Sequence, residues 1–234
     1  MHQKVQREQH CFPRPRAHPM RAFVSSPSPK RPKGPVLKGI SMMKRLAIVT
    51  GILALAAPLA MAQYSTWTSD PAHSEVDFSI KHGGVSNVHG RFGKVAATLV
   101  YNEADISKST VTATIDPSTV DTGEPARDTH LKTDAFFDVA KFPTASFTST
   151  SVARTGGKLT VSGNFTLHGV TKPVVLDVDG PSTPVESGMD HKLHSGFSAT
   201  TTLSRTAFGI GTSFPSALVG DEVKLTIEVE IVKQ

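Results

Sequence analysis

Cysteine is almost absent: the 234-residue chain holds one, Cys11. The body of the chain therefore has no disulfide framework, no thiol nucleophile and no thiolate set for a metal. A long apolar run is missing too. Residues 46–59 are apolar but too few for a relaxed transmembrane helix, and Gly51 and Pro58 interrupt them. Recognisable catalytic motifs are lacking: there is no nucleophile elbow, phosphate loop or settled zinc spacing.

What surrounds the apolar run explains it. Met43-Lys44-Arg45 precedes it and Ala60-Met61-Ala62 follows it, the three parts of a secretory signal cleaved near Ala62/Gln63. Residues 42–62 are thus expected to be removed, leaving a periplasmic or secreted protein with no stable membrane anchor. Residues 1–41, rich in Pro, Arg and Lys and without periodicity, read as a disordered leader. A translation start at Met42 or Met43 explains that leader, and a long basic n-region is the other reading.

Removing this segment reverses the electrostatics. The whole chain has a formal charge of +5, yet residues 1–62 hold 11 of the 25 Lys and Arg and 1 of the 20 Asp and Glu. The remaining 14 basic and 19 acidic residues leave residues 63–234 at −5. No nucleic-acid partner is expected, because the basic footprint belongs to the leader. Residues 63–234 suffice for one domain with a real core.

Period-two alternation dominates that domain. Val76, Phe78 and Ile80 share a face, as do Val111, Ala113 and Ile115, and Val223, Leu225, Ile227, Val229 and Ile231. Gly156-Gly157 between two alternating runs predicts a hairpin. About eight antiparallel strands result, enough for a barrel or a sandwich. Small residues on the inward faces, among them Ala113, Ala145, Gly163, Ala199 and Thr201, favour a barrel with an elongated cavity.

One stretch, residues 115–147, breaks the alternation. Pro125 opens a short helix through Arg127 to Leu131, Thr133 or Asp134 caps a second turn carrying Phe136 and Phe137, and Pro143 ends it. Arg127, Asp128 and His130 put a polar cluster directly ahead of Leu131, Phe136, Phe137 and Phe142, which suits an amphiphile. The same residues also suit a lid whose charges pair with one another and whose Phe side chains are only core.

Several blocks in order resemble the YceI-like family. They include Asp70-Pro71-Ala72-His73-Ser74, Gly90-Arg91-Phe92, Val120-Asp121-Thr122, Arg127-Asp128 with His130-Leu131, Phe136-Phe137-Asp138, Leu167-His168-Gly169-Val170-Thr171, and Arg205 with Phe208-Gly209. The resemblance spans nearly all of residues 64–233. It implies an all-β, eight-stranded, extended lipocalin-like antiparallel barrel with a short helical insert over one mouth. Its implied ligand is a polyisoprenoid lipid, an isoprenoid quinone or a polyprenyl phosphate, carried without catalysis and without another cofactor.

Arg127 and His130 are the candidates nearest a polar head, with Asp128 orienting one of them. Phe78, Ile80, Phe92, Leu131, Phe136, Phe137, Phe142, Phe147, Phe165 and Phe208 are the candidates for the tail. Of the histidines, His191-x-x-His194 and the pair His82 and His89 have no settled metal-ligand spacing and no cysteine beside them, and no metal site is expected. A hydrolase using Ser69-Asp70 with His73, or Asp128 with His130, is the alternative, as is an envelope protein with an incidental cavity. A homodimer is left open.

Overall fold

The computed structural model describes residues 64–234. The expected leader, export signal and cleavage point lie outside the described residues. Strict alternation along the chain becomes ten strands: β1 (Tyr64–His82), β2 (Ser86–Phe92), β3 (Ala96–Asn102), β4 (Thr110–Ile115), β5 (Ala145–Thr155), β6 (Lys158–Leu167), β7 (Val170–Asp179), β8 (Val185–Glu186), β9 (Leu193–Ser204) and β10 (Val219–Lys233). All pairings are antiparallel. The order β10-β1-β3-β4-β5-β6-β7-β9 closes on itself because β9 also pairs with β10.

Ten strands fill eight places in this ring. The first part of β1 pairs with β3, Tyr64 opposite Asn102, and its last part pairs with β2, Phe78 opposite Gly90. β2 and β3 therefore share one position, and β8 is a two-residue addition beside β9. The result is the expected eight-stranded barrel. Closure leaves little exposed edge, which is how such a sheet avoids pairing with other chains.

The inward faces are as the alternation predicts. Along β10, Lys224, Thr226 and Glu228 are exposed, while Val223, Leu225 and Ile227 between them are half-buried. Those three are not fully buried because they border an internal space rather than packed atoms. The β5–β6 hairpin pairs Thr155 with Lys158 across Gly156 and Gly157, whose φ angles of 57° and 85° give the two left-handed positions that a tight hairpin needs.

Among the described residues, the one α-helix lies in the insert of residues 116–144, between β4 and β5. Helix α1 (Pro125–Leu131) begins with Pro125 after the cap Glu124, whose carboxylate accepts from the Ala126 N–H. Seven residues cannot hold a helix alone. Tertiary contacts do so: Leu131 packs on the core around Phe136, Phe165 and Phe208. The expected second helical turn is absent. Residues 133–142 instead run through consecutive tight turns in which Thr133 O accepts from both Phe136 N and Asp138 N, and Asp138 takes a φ of 46°.

Candidate ligand-binding bore

Two chambers follow one another along the barrel axis. The wider, about 330 Å³, lies beside the insert, and the narrower, about 120 Å³, lies deeper. Val76, Ile115, Phe165, Leu203 and Leu225 line both, so they form a waist in one bore. Ala97, Ala113, Ala199 and Thr201 line the deeper chamber. Side chains this small leave room where larger ones would fill the barrel.

At the deep end Ile106, from the 3-10 turn Ile106–Lys108, stands in the chamber wall. Asn102 secures that turn, its Oδ1 accepting from Ala104 N and Asp105 N. At the other end the lining reaches solvent at Lys81, His82, His130 and Leu218, all exposed. Exposed lining residues are thus confined to the outer chamber.

Eight of the ten tail candidates meet in the outer chamber: Phe78, Ile80, Phe92, Leu131, Phe136, Phe137, Phe165 and Phe208. Phe92 links the insert to the wall, its ring 5.5 Å from Phe78 and 5.4 Å from Phe137. Phe147 lines the deeper chamber, which Phe165 also reaches. Phe142 does not face the bore, contrary to expectation. It packs against His168, ring centroids 4.7 Å apart, in a slot over Gly169. Only glycine suits that slot, since its φ is 74° and a Cβ there would collide with the Phe142 ring.

The polar candidates separate. Arg127 and His130 line the outer chamber, and Asp128 does not. Asp128 Oδ1 accepts from Thr122 N at 2.9 Å and from Thr122 Oγ1 at 2.5 Å. Thr122 Oγ1 in turn accepts from Arg127 Nε at 2.7 Å, and Thr122 O from Arg127 Nη2 at 2.9 Å. Asp128 therefore orients Arg127 through Thr122 rather than by a direct pair. Among the described residues, Arg127 Nη1 has no acceptor, whereas Nε and Nη2 are both held by Thr122. His130 stands edge-on to Phe136 at 5.1 Å and to Phe214 at 6.1 Å, which fixes its ring at the mouth.

Charge in the bore has one sign. Lys81, Arg127 and Arg205 line the outer chamber with His82 and His130, and the lining of neither chamber includes Asp or Glu. With no carboxylate or thiol beside these histidines, the bore offers no mixed donor set for a metal.

A second loop, between β9 and β10, borders the same mouth as α1. Phe208, Ile210, Phe214 and Leu218 from it line the outer chamber, and Phe214 stacks on Phe136 of the insert at 5.1 Å. What organises the loop is buried Arg205: Nε donates to Gly220 O, Nη1 to Ile210 O and Gly211 O, and Nη2 to Phe214 O and Val219 O. The available signal was an arginine at the end of an alternating strand and before an apolar loop. Asp221 holds the same loop from outside, accepting from Thr206 N and Oγ1, and the Thr206 hydroxyl keeps its carboxyl below the usual carboxylate range.

No helix among the described residues is long and apolar enough to cross a membrane. A protein of Salmonella arizonae called protein YceI is 40% identical over 164 residues, covering 69% of this chain and 83% of that one. The crystal structure of a Campylobacter jejuni YceI protein superposes with a TM-score of 0.59 at 32% identity, covering 66% of this chain and 90% of that one. A polyisoprenoid binding domain from Saccharophagus degradans shares the fold, with a TM-score of 0.53 at 16% identity over 73% of this chain and 99% of that one. The YceI-like domain profile matches residues 67–231, the span that forms the barrel and its two mouth loops, and the chain belongs to that family.

Proposed function

We propose that the protein is a periplasmic or secreted carrier that holds a polyisoprenoid lipid, with its tail along the bore and its head at the Arg127 mouth. The single observation that carries this reading is a pair of apolar chambers that share five lining residues, with Lys81, His82, Arg127 and His130 on the lining of the outer one and no acidic side chain in either. A linear hydrocarbon fits a long narrow space better than a compact ligand does. An oxygen-rich or anionic head fits Arg127 and His130. The barrel shared with a polyisoprenoid binding domain supports the same ligand class.

Energetics make chain length a matter of geometry. Burying a methylene contributes about 0.8 kcal/mol, so a five-carbon isoprene unit adds about 3 kcal/mol gross. Eight units would exceed the practical ceiling of about −18 to −21 kcal/mol for noncovalent affinity. Length is therefore discriminated by where the bore closes, or not at all.

Binding is favoured over catalysis by what the candidate nucleophile sets do. Ser69 Oγ donates to Val95 O and accepts from Ala97 N, which ties it into the sheet, and Asp128 is committed to Thr122 rather than to His130. Organic extraction of the purified protein followed by mass spectrometry tests the carrier reading. A long-chain isoprenoid in stoichiometric amount is expected. A protein that yields none and takes none up from vesicles containing polyprenyl phosphate or quinone is not such a carrier.

A further inference from the structure

The outer surface carries a second constellation, whose residues line neither chamber and which is independent of what the bore holds. Where β1 runs beside β10, the pairing goes from Ser69 opposite Ile231 to Ser74 opposite Val229. Residues 70–73 therefore bulge off the sheet, over Glu230. Ser74 fixes the base of this bulge, its Oγ donating to Glu230 O and accepting from Glu230 N.

Three side chains converge there, and two of them have one oxygen occupied and the other turned to a common point. Asp70 Oδ1 accepts from Ala72 N, leaving Oδ2 at 2.8 Å from His73 Nδ1. Glu230 Oε1 pairs with His194 Nδ1 at 2.6 Å, leaving Oε2 at 3.9 Å from the same His73 nitrogen. His194 is itself held from behind by both carboxylate oxygens of Asp190 at 3.1 Å. We propose that Asp70 Oδ2, His73 Nδ1 and Glu230 Oε2 bind a divalent cation of the zinc class on the outer face of the barrel.

Three properties of the cluster support this. The three donor atoms all lie within 4.8 Å of one another. Tetrahedral donors about 2.0–2.1 Å from a zinc ion stand roughly 3.3 Å apart, and the 2.8 Å and 3.9 Å separations straddle that value. Two carboxylates with a neutral imidazole balance a divalent charge, and the imidazole selects a zinc-like ion over magnesium or calcium. The His194–Asp190 chain behind Glu230 supplies the outer hydrogen bonding that orients ligands in metal sites. His73 is 61% exposed, so water completes the coordination. Sequence spacing hides the set, because Asp70 and His73 meet Glu230 only through the β1–β10 register. The nearby His191 lies outside it and faces Glu186.

The test is calorimetric titration of Zn²⁺ into the full chain, purified without a polyhistidine tag and stripped by chelator. One equivalent is expected, weakened at least about tenfold in His73→Ala and in Glu230→Gln and unchanged in His191→Ala. Absence of uptake, or uptake unaltered in both site variants, overturns the proposal, the second result placing the ion elsewhere. Replacement by Co²⁺ checks the unmutated protein directly. An intense visible spectrum of four-coordinate Co²⁺ is expected, and the weak spectrum of the hydrated ion would refute the site.

Discussion

Arg127 and Arg205 bring the same guanidinium to one chamber and differ in what is left over. Every N–H-bearing nitrogen of Arg205 is spent on backbone carbonyls, whereas Arg127 keeps Nη1. Arg205 is thus a frame for the mouth and Arg127 a donor in it. Arg205→Lys replaces a five-donor fork by a three-donor point charge and leaves buried carbonyls unpaired. Each buried unsatisfied group costs about 1–3 kcal/mol, so a loss of about 3 kcal/mol is expected in denaturant unfolding; a change below about 1 kcal/mol would show the staple to be dispensable. Arg127→Gln should behave differently, with stability nearly kept and affinity for a prenyl phosphate down about tenfold or more. A quinone lacks the full anion and should lose much less. Equal losses for the two ligands in parallel titrations would make Arg127 structural. Alternation made most inward residues legible, Phe78, Ile80 and Phe165 among them. Phe142 was misread because its slot over Gly169 is created by a distant segment, and Arg205 was missed because its carbonyl partners belong to turns.

At the scale of elements, the two mouth loops were unequally legible. Helix α1 announces itself through Pro125 and a polar cap, both local features. The turns after it follow from one shared carbonyl at Thr133, which composition does not reveal. The β9–β10 loop has no regular element longer than the 3-10 turn Thr206–Phe208, and it is set by Arg205 within and Asp221 without. Asp221 gives this loop an acid limit. Its carboxyl titrates below the ordinary value of 3.8, chiefly through the hydrogen bond from Thr206. A depressed folded-state value means that the stabilisation is complete above the unfolded-state value and is lost as pH falls through the folded one. Asp221→Asn should therefore be less stable than the parent at neutral pH, with the gap closing below about pH 4. Thermal unfolding midpoints of both proteins across that range measure it. A gap independent of pH would mean that the carboxylate's charge contributes nothing to the loop.

For the whole molecule, closure of the ring turns a surface pattern into a measuring device. Alternation and small inward residues sufficed to suggest a barrel with a cavity, because both are properties of single strands. The division of the bore into two chambers was not legible. It depends on which residues of β1, β4, β6, β9 and β10 stand level with one another, and register is a long-range property. The waist of Val76, Ile115, Phe165, Leu203 and Leu225 stands between the chamber at the mouth and the deep one. Thr201 lines only the deep chamber and is only half-buried, so a larger side chain there fills space rather than displacing packed atoms. Thr201→Phe should leave folding nearly intact, within the roughly 1–3 kcal/mol that overpacking costs. It should also leave binding of a short prenyl chain unchanged, while a long chain loses the burial of its last unit. That unit is worth about 3 kcal/mol gross, on the order of a hundredfold in affinity. Titrating a length series of prenyl ligands against the parent and the variant reads the difference. Parallel curves at every length would show that the tail never passes the waist, and the deep chamber would then be no part of the site.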